Sequence, residues 1–181
     1  MLETANNADN NKGEWQMDAL TLIQEQAAQV DNLITQVAAN LTAEQATWHV
    51  EGTTTNPIAA TFMHLYFSED RMVQQRRQGL PTIFEAGAWR ERIGFNPDAP
   101  WAPTTRADPD AMRAYAAEVR GATKRFLGGM QPAELAQEVD GLRGRSPLAT
   151  VLTVSLVIHK ASHMGEIAAL LGSQGVRGFP F

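Results

Sequence analysis

An all-α four-helix bundle is the fold this sequence predicts, on three observations. Apolar residues recur three and four apart along four long segments, as on the buried stripe of a packed helix. Three of those segments open on a capping residue followed by proline, at Asn56-Pro57, Asp108-Pro109 and Ser146-Pro147. No stretch alternates apolar and polar residues with the conviction of a half-buried strand. Helices that each bury one stripe must bury it against one another, which gives a bundle.

The first helix is expected from about Glu14, on the seam Leu20, Ile23, Ala27, Val30, Ile34, Val37 and Leu41. Its other face, with Gln24, Glu25, Gln29, Asp31 and Gln36, is expected to meet water. Thr42-Ala43-Glu44-Gln45 has the capping-box pattern of a short helical turn. The second helix, about 57–78, reads Asn56 as cap and Pro57 as its first residue. Its first half is apolar nearly all round, from Ile58 to Phe67; it turns polar from Ser68 and stops at Gly79. Residues 79–107 form a long connection with Phe84, Trp89 and Trp101 and a short helix near Glu85–Ile93, and connections of that length are commonly lids or binding loops. The third helix runs from Pro109 to Gly128-Gly129 on the seam Met112, Tyr115, Val119, Ala122 and Phe126. After one helical turn at about 132–138, the fourth long helix starts at Ser146-Pro147 and ends at Gly172.

Composition bounds the function. With 181 residues, 44% of them hydrophobic and 19% charged, the chain reads as one globular domain over 14–181 behind an Asn-rich, disordered segment 1–13. There is no cysteine, so disulfides, thiolate ligands and a cysteine nucleophile are excluded. A metal site must use histidine, carboxylate or water. A formal charge of −5 gives no field that would gather nucleic acid. Neither a membrane-spanning run nor a secretory signal is evident, and a cytoplasmic protein is expected.

Two of the chain's four histidines lie in the fourth helix as His159-Lys160-Ala161-Ser162-His163. At about 100° per residue, taking His159 as zero, His163 falls at about +40°, Glu166 at about −20° and Ser155 at about −40°. A polar stripe on a helix of Leu, Val, Ile and Ala needs partners, water or a metal. His64, in the apolar half of the second helix, is the third candidate. Three neutral imidazoles on one divalent ion leave positions open, as in a catalytic site. Set against this, H-x-x-x-H arises by coincidence, and a histidine among apolar residues is often simply hydrogen-bonded. Glu166, three residues beyond His163, fits an acceptor for an imidazole N–H, a proton shuttle or a further ligand. Arg71, two turns beyond His64, reads as a solvated arginine or a contact for an anionic substrate. Trp89 and Trp101 suit either a pocket mouth or packing over the bundle end. His49 has no partner at ligand spacing.

The residues Asn56-Pro57 with His64, the run His159 to Ile167 and the closing segment Gly175 to Phe181 resemble the DinB/YfiT superfamily of metal-dependent helical bundles. That family is unrelated to the DNA polymerase of similar name. The resemblance extends from about residue 15 to the end. It implies a divalent metal, zinc or nickel, held by His64, His159 and His163. It also implies, for a thiol-dependent transferase, a low-molecular-weight thiol such as mycothiol or bacillithiol as co-substrate, a small-molecule electrophile and a homodimer. The family's last motif often carries Gln where this chain has Glu166. A non-catalytic metal-binding stress or sensor bundle, a hydrolase using metal-activated water and a helical interaction protein are the alternatives. An enzyme requires a pocket that opens on the histidines; a non-catalytic bundle does not.

Overall fold

In the computed structural model the described residues are 17–99, 101, 107–141 and 144–179; the segment 1–13 lies outside them. They form an all-α four-helix bundle. Helix α1 (Ala19–Val37) is capped by the Asp18 carboxylate, which accepts from Thr21 N–H. The short α2 (Ala43–Thr47) starts on the capping box of Thr42 and Gln45. Helix α3 (Ile58–Asp70) continues without a break through π-helical turns, Arg71–Arg77. The connection that follows holds not one short helix but two, α4 (Ile83–Ala86) and α5 (Trp89–Ile93). Helix α6 (Pro109–Gly128) has Asp108 as its cap and proline at its first position. A 3₁₀ turn (Pro132–Ala136) leads to a small antiparallel hairpin, β1 (Glu138–Gly141) and β2 (Gly144–Pro147). The last long helix comprises α7 (Leu148–Thr153), a π-helical turn (Val154–Ile158) and α8 (His159–Ser173), with helical backbone across both junctions.

Two expected starts move by a residue or two. Pro57 and Pro147 have ψ of 150° and 141°, extended values, so each is the last residue of the incoming chain and the helices begin at Ile58 and Leu148. Asn56 therefore caps nothing, and Ser146 pairs with Val139 in the hairpin that the sequence pattern did not reveal. At four residues a side, those strands are too short for alternation to show.

Packing settles the helix order. Helix contacts run α1–α8, α8–α3, α3–α6 and α6–α1, so α1 lies diagonal to α3 and the chain crosses the bundle between them. The core divides into two apolar clusters. One gathers Ile34, Phe62, Tyr66, Trp89, Tyr115 and Ile167; the other gathers Leu20, Ile23, Val73, Leu127, Leu152 and Leu156. Between them in sequence, each long helix contributes one polar residue to a buried layer: Asp31, Glu69, Thr123 and Lys160. The Lys160 ammonium binds the Asp31 carboxylate and donates to Glu69 at 2.6 Å. Thr123 donates to the other Glu69 oxygen at 2.6 Å. Asp31 is thus a correction, since its side chain is only 15% exposed rather than turned to water. Glu69 and Asp70 likewise lie inside, although the sequence turns polar at Ser68. The Asp70 carboxylate accepts from the N–H groups of Ile83 and Phe84 and from the Tyr115 hydroxyl. It therefore fastens the long connection to the bundle, and burial raises its pKa despite those hydrogen bonds.

Candidate metal centre

His64 comes from α3, and His159 and His163 from the first two turns of α8. A helix presents residues four apart on one face, so the α8 pair lies side by side, with ring centroids 4.7 Å apart and edge to face. Contact between α3 and α8 brings the third ring to 5.1 Å from His159 and 5.2 Å from His163. One ring nitrogen from each lies within 4.8 Å of the other two. The Nε2 atoms of His64 and His159 are 3.1 Å apart. Nitrogens each about 2 Å from one tetrahedral ion sit about 3.3 Å from each other, so this pair is already at ligand separation.

Protonation suits the same purpose. His163 Nδ1 lies 2.7 Å from Glu166 Oε2. A carboxylate only accepts, so Nδ1 carries the proton and Nε2 keeps its lone pair for a ligand. Desolvation, then repulsion from His159 and His163, lowers the His64 pKa to about 4. Desolvation and the neighbouring His163 and Lys160 also lower His159. Both imidazoles therefore stay neutral at physiological pH, as ligation requires. A donor set of three imidazole nitrogens fits zinc, nickel, copper or iron(II).

A cavity of about 340 Å³ opens on the site, with His64, His159 and Ser155 in its wall. Trp101 packs on His64 at 4.6 Å between ring centroids and lines the same cavity. Trp89 does the opposite: it is buried in the core against Tyr115, with Arg92 stacked on its ring. Arg71 is exposed yet reaches the cavity wall, where it lies over Phe67. His49 is exposed and outside the group.

Sequence reasoning missed Arg76 and Arg77, which also line the cavity, and the Lys160 layer beside it. For the layer a signal existed. Lys160 occupies a stripe position in the series Leu156, Lys160, Met164, Ile167, Leu171, all buried. Glu69 stands likewise between buried Leu65 and Met72.

The sequence pattern of the DinB superfamily matches residues 20–167. The fold resembles that of a solved structure described as a conserved protein from Enterococcus faecalis. The TM-score is 0.70 at 15% identity, covering 87% of this chain and 99% of that one. At that identity the likeness speaks for the fold alone. No curated protein matches the sequence. Among the described residues, no helix is long and apolar enough to cross a membrane.

Proposed function

We propose that this chain, which belongs to the DinB superfamily, is a metal-dependent transferase that joins a low-molecular-weight thiol to an electrophile. The observation that carries the proposal is the opening of a cavity directly on His64 and His159. A non-catalytic metal-binding bundle needs no such space.

A divalent ion on His64, His159 and His163 would supply Lewis acidity that lowers the pKa of a thiol, so that a thiolate meets the electrophile at neutral pH. The protein's own residues supply the rest. His64 and His159 can each offer a ring nitrogen because burial and the neighbouring groups keep both imidazoles neutral. Glu166 accepts from His163 Nδ1–H, which fixes that ring's tautomer and orientation and raises its basicity as a donor. Exposed by about half, the Glu166 carboxylate can also pass a proton between the site and water. Phe67, Phe95 and Trp101 line the cavity with apolar surface that limits water near the thiol. The chain has no cysteine, so the reacting sulfur comes from the co-substrate.

Calorimetric titration of metal-loaded protein with mycothiol, bacillithiol, glutathione and coenzyme A tests this reading. At least one thiol should bind, and none should bind the His159→Ala/His163→Ala variant. Failure of all four on wild type would return the protein to hydrolytic or non-catalytic readings.

A further inference from the structure

We propose that the cavity beside the histidines takes a small molecule with an oxyanion at one end and an apolar body, the anion being held by Arg76 and Arg77. Part of its wall is the π-helical end of α3, from which Arg71, Arg76 and Arg77 all reach the cavity. Bonding in a π-helix joins residues five apart, which keeps Arg71 and Arg76 on one side of the helix.

Arg90, Arg113 and Arg145 each pair with an aspartate: Asp98, Asp110 and Asp140. Among the described residues, Arg71, Arg76 and Arg77 make no ion pair and donate no hydrogen bond. Of those same residues, Arg92, Arg125 and Arg177 are also without an ion pair, but none of them reaches the cavity, whereas Arg71, Arg76 and Arg77 do. The Nε–H of Arg77 is buried with no acceptor. Two carboxylates also reach the cavity, but both are engaged: Glu69 by Lys160 and Thr123, Asp140 by Arg145. Neither carboxylate forms an ion pair with Arg71, Arg76 or Arg77. Guanidinium groups bind carboxylate and phosphate oxygens through paired N–H donors, so both anions belong to the class. Phe67, Phe95 and Trp101 supply the apolar wall, and about 340 Å³ limits the ligand to a small molecule. That the ligand's other end is the reacting one rests on the function proposed above; the anion-binding end does not.

Calorimetric titration with phenylacetate, phenyl phosphate and phenylacetamide separates the possibilities, run on metal-free and on zinc-loaded protein. One or both anions should bind at least about tenfold more tightly than the neutral amide in both forms. Which anion wins identifies carboxylate or phosphate. The preference should vanish in Arg76→Gln/Arg77→Gln and weaken in Arg76→Gln alone, a change at an exposed position that leaves the core intact. Equal binding of the three probes, no binding of any, or a preference that survives in the double variant overturns the proposal. So does a preference confined to zinc-loaded protein, because the anion is then on the metal. Failure to load zinc, nickel, copper or iron(II) would sink the metal-dependent function instead, while the metal-free comparison still decides the anion site.

Discussion

His159 and Lys160 are neighbours in the chain, yet they belong to two clusters built on opposite rules. Lys160 is 1% exposed, and protein groups answer its charge: Asp31, Glu69 and the face of Tyr66 at 4.6 Å. His159 is half-buried, and its Nε2 meets only another imidazole nitrogen. One cluster is closed, with a partner for each charge, so it serves stability and helix register. The other joins two imidazole nitrogens by a single hydrogen bond, at a separation that an ion could bridge instead. The satisfied charges lie inside the bundle, whereas His64 and His159 stand at the wall of the cavity.

The largest effect should come from opening the closed cluster. Lys160→Met strands two carboxylates inside the bundle, and removing one partner of a buried pair costs about 3–5 kcal/mol. Urea unfolding of the metal-free protein measures this; a loss under about 1 kcal/mol would show that the pairs contribute little. Next in size is Glu166→Ala. It removes the acceptor on His163 and, from a half-exposed position, should lower zinc affinity by about tenfold, the low end for such partners. Unchanged affinity would make Glu166 a plain surface residue.

Smaller still is His159→Ala in metal-free protein. It forfeits one hydrogen bond and should change stability by about 1 kcal/mol or less. A loss near that of Lys160→Met would erase the contrast.

The gentlest test is the pH profile of stability without metal, where the clusters act at opposite ends. The folded His64 pKa lies near 4, below its ordinary 6.5, so between those values the unfolded chain binds the extra proton. Stability should therefore fall as pH drops from about 6.5 toward 4. Burial pulls Lys160 down, but Glu69, Tyr66 and Asp31 more than reverse it and leave its pKa raised. Its contribution is whole below 10.5 and is lost as pH rises through the folded value. Replacing His64 with Ala should make the acid limb shallower, leaving the share of His159, and should not change the alkaline limb.

The same contrast explains what the sequence could tell. Helix existence was legible because each seam follows a regular period, and the expected residues Leu20, Ile23, Met112, Tyr115 and Val119 are all buried. The three histidines were legible because imidazoles are conspicuous in apolar helices and two stood at i and i+4. Asp31 was misplaced because charge was read as exposure. Its burial depends on Lys160, a residue 129 positions away, and no single-helix pattern carries that pairing. The π-helical turns before His159 and around Arg76 were invisible for a related reason. They depend on how the helix packs rather than on a residue signature, and they shape the cavity wall.

The most direct test is calorimetric titration of metal-free protein with zinc, comparing wild type with His159→Ala/His163→Ala. One ion should bind per wild-type chain at the His64, His159 and His163 nitrogens, and the variant should bind none at that site. Equal zinc uptake by the two proteins would contradict the metal centre outright.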